Sequence, residues 1–248
     1  MKAILIAAAL TATALPALAF DPAKMNDAEK AAFGAAVRDY LMANPDVLVE
    51  SINVLEERRV ADESKNDKLL VENNKAAIFD DGHSWVGGNP EGDVTLVEFI
   101  DYRCGVCKKV NPDLEKLISA DGNIRFILKE FPILTQESDL AARFAVAVQQ
   151  EAGADAYKKT HDALMESRGP VNLESLSALA DTLGLDSKSL LNRMNTEEVS
   201  AVIRKNRQLA EQMSVMGTPT FIIGGEMLRG VPASGLEDVI ARARAEKG

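Results

Sequence analysis

Two cysteines occur in the 248 residues, Cys104 and Cys107, and only Gly105 and Val106 separate them. A thiolate beside a second thiol is the working part of a disulfide exchanger. The preceding run, Thr95-Leu96-Val97-Glu98-Phe99-Ile100, is apolar with β-branched and aromatic residues, and Glu98 is its one charge. The following run, Lys108 to Ile118, repeats apolar residues at helical spacing. The thiols therefore fall where a buried strand gives way to a helix. Cys104, at the helix start, meets unpaired amides and the positive end of the helix dipole, which favour a thiolate. A purely structural bond is a poor account, because closing so small a loop constrains the unfolded chain little. Zinc is poorly served too, since a structural site takes four ligands and the only histidines are His83 and His161. No cofactor or metal is expected.

Other segments must hold this pair in place. Met1-Lys2, an apolar stretch from Ala3 to Leu15 and the ending Ala17-Leu18-Ala19 have the form of a secretory signal peptide, residues 1–19, cut after Ala19. The apolar stretch is too short to span a bilayer. Export predicts a periplasmic protein in an oxidising compartment. The formal net charge is −10, one unit more negative once Lys2 is gone, which argues against nucleic acid or an anionic membrane surface as partner.

Residues 20–80 read as a helical extension. Asn26 stands three residues before Glu29, a capping-box spacing, and Phe33, Val37, Tyr40 and Leu41 recur on one face. Asn44-Pro45 ends this helix and opens another, with Pro45 at its first position and Leu48, Ile52 and Leu55 on one side. Residues 56–68 are almost wholly polar, so 58–74 reads as a solvated helix or a mobile linker. An apolar face with so little core of its own needs cover. It either packs back on the main domain or, as expected here, joins copies of the chain through Phe33, Val37, Tyr40, Leu48, Ile52 and Leu55.

The main domain covers residues 84–248, after a loop at 84–90. A short strand near Trp85-Val86, a strand at 94–100, a helix from Cys104 to about Ala120 and a strand at 124–128 follow. The last three make a βαβ unit, with parallel strands and a right-handed crossover. Pro112 lies inside the helix and should kink it. From 136 to 214 the pattern is helical, giving an insert at about 135–215. Strand character returns at 218–223, followed by Gly224-Gly225 and a second strand at 226–229, a hairpin signal. Residues 234–246 close the chain as an amphipathic helix on Leu236, Val239 and Ile240.

The order βαβ, helical insert, ββα, with CxxC at the first strand–helix junction and Gly217-Thr218-Pro219-Thr220 before the hairpin, resembles the thioredoxin fold with an inserted helical domain, the arrangement of the DsbA family. The resemblance covers residues 84–248. It implies an α/β thioredoxin-like fold preceded by the N-terminal helical extension. It also implies a cis peptide bond at Pro219 facing the dithiol, and a Thr218 backbone that hydrogen-bonds a substrate peptide. Glu98 stands where that family has a buried acid near the second cysteine, able to pass a proton to or from Cys107. The alternative puts Glu98 in solvent on an edge strand. Lys129, at the end of the next strand, is expected either to pair with Glu98 or to lie on the surface. Helices ahead of such a domain, with a motif lacking proline and histidine, are similar to the ScsC group. Members of that group can oligomerise through this segment and act as disulfide isomerases.

These readings converge on an exported thiol-disulfide oxidoreductase acting on cysteine-containing protein substrates. Cys104 is the expected nucleophile, or in the disulfide the sulfur attacked, and Cys107 resolves the mixed disulfide. Gly105-Val106 replaces the Pro-His pair of strongly oxidising DsbA proteins. Val106 cannot stabilise a thiolate as histidine can, so a less oxidising bond is expected. A monomer would be a dithiol oxidase kept oxidised by a membrane redox partner. A homo-oligomer with facing sites would be kept reduced and would shuffle wrong disulfides. A third reading is a non-catalytic binding or chaperone module. Met213, Val215 and Met216 lead into the Pro219 loop and either border a groove or pack in the core.

Overall fold

A computed structural model describes residues 24–246; the expected leader at 1–19 lies outside them. The chain divides into two compact units, Met1–Arg59 and Val60–Gly248. In the first unit, Asn26 caps α1 (Asp27–Ala43). The Glu29 amide donates to the Asn26 side chain and the Asn26 amide donates to the Glu29 carboxylate, the reciprocal pair read from the sequence. No residue of α1 is buried. α2 (Asp46–Asn73) starts directly after Pro45, and the division between the units falls within it. Phe33, Val37 and Tyr40 of α1 and Leu48, Ile52 and Leu55 of α2 are all exposed. No helix among the described residues is long and apolar enough to cross a membrane.

The second unit opens with the remainder of α2. The stretch left between solvated helix and mobile linker is helical through Asn73, and its later turns are not all solvated. Asp67 and Val71, four apart and so on one side of the helix, are buried. Asp67 accepts two bonds from Arg229, at 2.6 and 2.8 Å. Val71 joins a core cluster with Ile78 of α3 (Lys75–Phe79).

Beyond α3 come β1 (Trp85–Gly88), β2 (Val94–Ile100), β3 (Ile124–Glu130), β4 (Thr220–Ile223) and β5 (Glu226–Arg229), in one sheet of order β1-β3-β2-β4-β5. β2 and β3 run parallel, joined through α4 (Gly105–Asp121); β1, β4 and β5 run antiparallel to their neighbours. Pro112 lies inside α4. Gly224 and Gly225, with φ of 58° and 95°, turn the β4–β5 hairpin in the left-handed region that favours glycine. A Cβ at Gly224 would stand 2.5 Å from that of Ala243.

The insert between β3 and β4 comprises α5 (Gln136–Ala152), α6 (Ala154–Glu166), α7 (Leu173–Thr182), α8 (Ser187–Arg193) and α9 (Glu197–Gln212). α10 (Leu236–Ala245) ends the described chain. The period of two along the strands splits the core. Leu96, Ile100, Phe126, Leu128 and Phe221 pack with α4, α5, α6 and α10. Val97, Phe99, Ile127 and Ile222 pack on the other face with Val71, Ile78 and Leu209 of α9. β2 lies between β3 and β4 and is buried on both faces, so it is a central strand rather than an edge.

Candidate active site

Cys104 is the N-cap of α4. Its sulfur accepts from the Cys107 amide at 3.4 Å, and its own amide donates to the Asp101 carbonyl at 3.0 Å. Both cysteines are free thiols, and Cys107 is fully buried. The Cys104 thiol donates to the Thr218 carbonyl oxygen at 3.2 Å, and the Thr218–Pro219 bond is cis. The fold thus brings together Cys104, Cys107, Thr218 and Pro219 from positions more than a hundred residues apart in sequence.

Glu98 joins them from β2. Only 2 % of its surface is exposed. Burial, then the negative groups of Glu115 and Cys104, hold its carboxyl well above the usual range. Burial, then the Glu98 charge, likewise push the Cys107 thiol far up. The position on a central strand removes the alternative of a solvent-facing Glu98.

Lys129 is not its partner. The parallel register sets Glu98 beside Leu128 and Phe99 beside Lys129, so strand alternation sends Lys129 to the opposite face. It is not on the surface either. Fully buried, its ammonium donates to the Asp81 carboxylate and to the Ala77 carbonyl at 2.7 Å. Burial alone would raise the Asp81 pKa, but Lys129 and the bonds from Ser84 outweigh it and hold it at about 2. Burial draws the Lys129 pKa down, yet with Asp81 this low the pair stays charged.

Several residues around the dithiol were not singled out by the sequence. Asp101, buried, accepts from the amides of Arg103, Ile133 and Leu134 at 2.7, 2.9 and 3.1 Å and so fixes the loop that carries Cys104. Lys108 donates to the carbonyls of Leu164, Met165 and Ser167, tying α4 to the C-terminal end of α6. The Tyr102 and Tyr157 hydroxyls donate to Glu130 Oε1 at 2.8 and 2.6 Å. His161 lies 3.3 Å from the Tyr102 hydroxyl and 3.3 Å from Asn111 Oδ1. Burial lowers its pKa to about 3, so the ring is neutral. The one signal for this cluster was Tyr102, an aromatic two residues before Cys104.

Beside Gly105, a cavity of about 760 Å³ is edged by Lys108, Asn111, Glu115, Lys158 and Arg168. Val106 is exposed, and so is Met216, at 86 %. Met213 and Val215 are buried, so of these three residues Met216 alone borders open space.

A thiol at a helix start, held against the carbonyl before a cis-proline, is in this sheet order the site of a thioredoxin-type dithiol domain. Residues 95–239 match the model of the DSBA-like thioredoxin domain, and residues 29–61 that of the copper resistance protein ScsC N-terminal domain. The first match spans more than half of the sequence, and the chain belongs to the DsbA-like family. A thioredoxin-like oxidoreductase from Silicibacter pomeroyi DSS-3 is 39 % identical with a TM-score of 0.64, over 69 % of this chain and 98 % of its own. Proteus mirabilis ScsC in a transitional conformation is 27 % identical with a TM-score of 0.65, over 91 % of this chain and 100 % of its own. The Na(+)/H(+) antiporter NhaA 1 of Salinispora arenicola is 29 % identical over 145 residues, 58 % of this chain. The chain spans only 22 % of that relative's length.

Proposed function

We propose that this protein exchanges disulfides with cysteine-containing protein substrates through Cys104 and Cys107. The contact that carries the reading is the 3.2 Å approach of the Cys104 sulfur to the Thr218 carbonyl, which sets the more accessible thiol against backbone that an extended peptide can follow. In the oxidising direction a substrate thiolate attacks Cys104 and Cys107 departs. A thiol with so high a pKa is a poor leaving group unless a proton reaches it, and Glu98 supplies that proton. In the reducing direction Cys104 attacks the substrate disulfide. Cys107 then gives its proton to Glu98, attacks Cys104 and releases the substrate thiolate. Thr218 and Pro219 hold the substrate backbone, and Val106 and Met216 offer it apolar contacts.

An oligomeric disulfide isomerase is the favoured form. It is supported by the exposed apolar residues of α1 and α2 and by the match of residues 29–61 to the ScsC N-terminal domain. The alternative is a monomeric oxidase served by a membrane redox partner. Export to the periplasm with cleavage after Ala19 belongs to the same reading and rests on the leader pattern of residues 1–19. So does the division into an extension at 20–80 and a catalytic domain at 84–248 with its insert at about 135–215.

Insulin reduction by the wild type and by Cys104→Ser tests the chemistry. The variant should lose all activity; activity retained by it would overturn the role of Cys104, and a wild type without activity would leave only the binding-module reading. Sedimentation of Leu48→Lys/Ile52→Lys tests the assembly, since its mass should fall to that of one chain. Refolding of scrambled ribonuclease against oxidation of reduced ribonuclease sets the direction.

A further inference from the structure

The sheet face that packs with α4 holds a second buried carboxyl. Glu130 ends β3, and the register pairs Glu98 with Leu128 and Ile100 with Glu130. The two acids therefore lie on the same face of adjacent parallel strands, one diagonal step apart, which strand spacing makes about 8 Å between their Cα atoms. Both are almost wholly buried, at 2 and 3 % exposure.

The groups around them carry little compensating charge. Glu130 faces the Tyr102 and Tyr157 hydroxyls, with His161 beyond Tyr102 and the Asp101 carboxylate as a neighbouring negative charge. Its Oε2 has no hydrogen-bond partner. From α9, Asn206 reaches only the Glu130 backbone carbonyl, at 3.0 Å. Glu98 faces Cys104, Cys107 and Glu115 of α4 and Tyr157 of α6. The nearby cation, Lys158, is engaged by Glu115 at 3.2 Å and by Asp162 at 2.7 Å. Among the described residues, no lysine or arginine acts on either carboxyl.

We propose that Glu130 is a positioning residue for disulfide exchange: its charge state, one diagonal from Glu98, sets the pH at which Glu98 can ionise and so accept the Cys107 proton. The proposal rests on the role given above to Glu98. Burial raises the Glu130 carboxyl to about 8 despite the two tyrosine bonds, so it is neutral through the physiological range. A neutral Glu130 leaves Glu98 free to carry the one negative charge this face must hold during turnover. An ionised Glu130 adds a second charge on the same buried face, and at about 8 Å and an effective dielectric near 20 that charge would raise the Glu98 pKa by roughly one pH unit. The step affected is the second one. The Cys107 proton passes to the Glu98 carboxylate, the Cys107 sulfur bonds to Cys104, and the partner leaves as thiolate. The enzyme dithiol is oxidised and the partner sulfur reduced.

Stopped-flow reaction of the full-length reduced protein with 5,5′-dithiobis(2-nitrobenzoate) separates the two steps. The first thionitrobenzoate release reads Cys104 attack and the second reads resolution by Cys107. In Glu130→Gln the second-phase profiles should coincide with wild type below about pH 7. Above about pH 8 the midpoint should lie roughly one pH unit lower, with rates up to about tenfold higher. Superimposable profiles, or a constant loss at every pH, would overturn the proposal. In a Glu98→Gln background, adding Glu130→Gln should leave the profile unmoved; a shift persisting there would also overturn it. Should Glu130→Gln fold poorly, Tyr102→Phe serves instead. Losing one donor raises the Glu130 pKa, keeps it neutral to higher pH and moves the midpoint the same way, and an unmoved midpoint counts against the proposal. If the wild type shows no second phase, it is the exchange reading that fails and not the role of Glu130.

Discussion

On one face of β2 and β3, Glu98 and Glu130 are buried with no cation among the described residues acting on them. On the other face, one residue along β3 from Glu130, Lys129 is buried with its ammonium on the Asp81 carboxylate. The same two strands thus bury charge by two different means. Where a counter-ion is supplied, both groups stay ionised and the pair ties β3 to the segment after α3. Where none is supplied, the acid takes up a proton instead, and a buried group that can gain or lose one lies within reach of a thiol. The paired face is a fastening; the unpaired face is a titrating one.

Breaking the pair should have the largest effect. Lys129→Met leaves the Asp81 carboxylate without its cation and should cost roughly 3 kcal/mol in urea unfolding, which Asp81→Asn added on top should partly restore. A loss under about 1 kcal/mol would mean that the two faces do not differ in this way. Glu98→Gln, on the other face, should leave stability within about 1 kcal/mol of wild type. It should slow the Cys107 step about 100-fold, or about 2.7 kcal/mol of barrier, read by the same two-phase thiol release.

Titration of stability should separate the faces by sign. The Asp81 carboxyl, lowered from 3.8 to about 2, contributes stability that is present above about pH 4 and lost as pH falls towards 2, roughly 2 kcal/mol in all. Glu130 is raised from 4.5 to about 8, so the unfolded chain releases its proton first and stability declines as pH climbs between those values. Asp81→Asn should flatten the acid limb and Glu130→Gln should lessen the neutral one, which Glu98 shares; the reverse assignment would break the comparison. The smallest effect concerns the motif. Val106→His places a cation donor beside Cys104 and should make the bond more oxidising by roughly 30 mV in glutathione titration, because it favours the reduced thiolate.

The dithiol, its helix, the loop at Pro219 and a buried place for Glu98 were legible, because each is marked by a residue type rare at its position, while the cis isomer was implied by the family resemblance alone. Two thiols at a strand end, a proline before a hairpin and an acid inside an apolar run are local signals. Lys129 was misassigned for a geometric reason. Proximity to Glu98 along neighbouring strands was read without the register, and a step of one residue changes face. Glu130 was missed because the apolar run ends at Leu128, so the following charges read as the solvent end of a strand, whereas Tyr157 of α6 and Tyr102 close over it. The helix at 58–74 reads two ways because its first buried residue, Asp67, is itself charged and lies in the polar run 56–68, with apolar residues resuming only at Leu69.

The hydrogen bond from Cys104 to the Thr218 carbonyl exists only while that sulfur carries a proton. Once Cys104 is bonded to another sulfur its donor is gone and the carbonyl regains a vacant lone pair. A peptide amide arriving at the disulfide form therefore finds an open acceptor. After electrons have passed to the enzyme, the new thiol competes for the same oxygen. With Thr218 holding the substrate as proposed above, grip on its backbone is strongest on the disulfide form and weakest on the dithiol, so in the oxidising direction departure of the finished chain is favoured by the redox change itself.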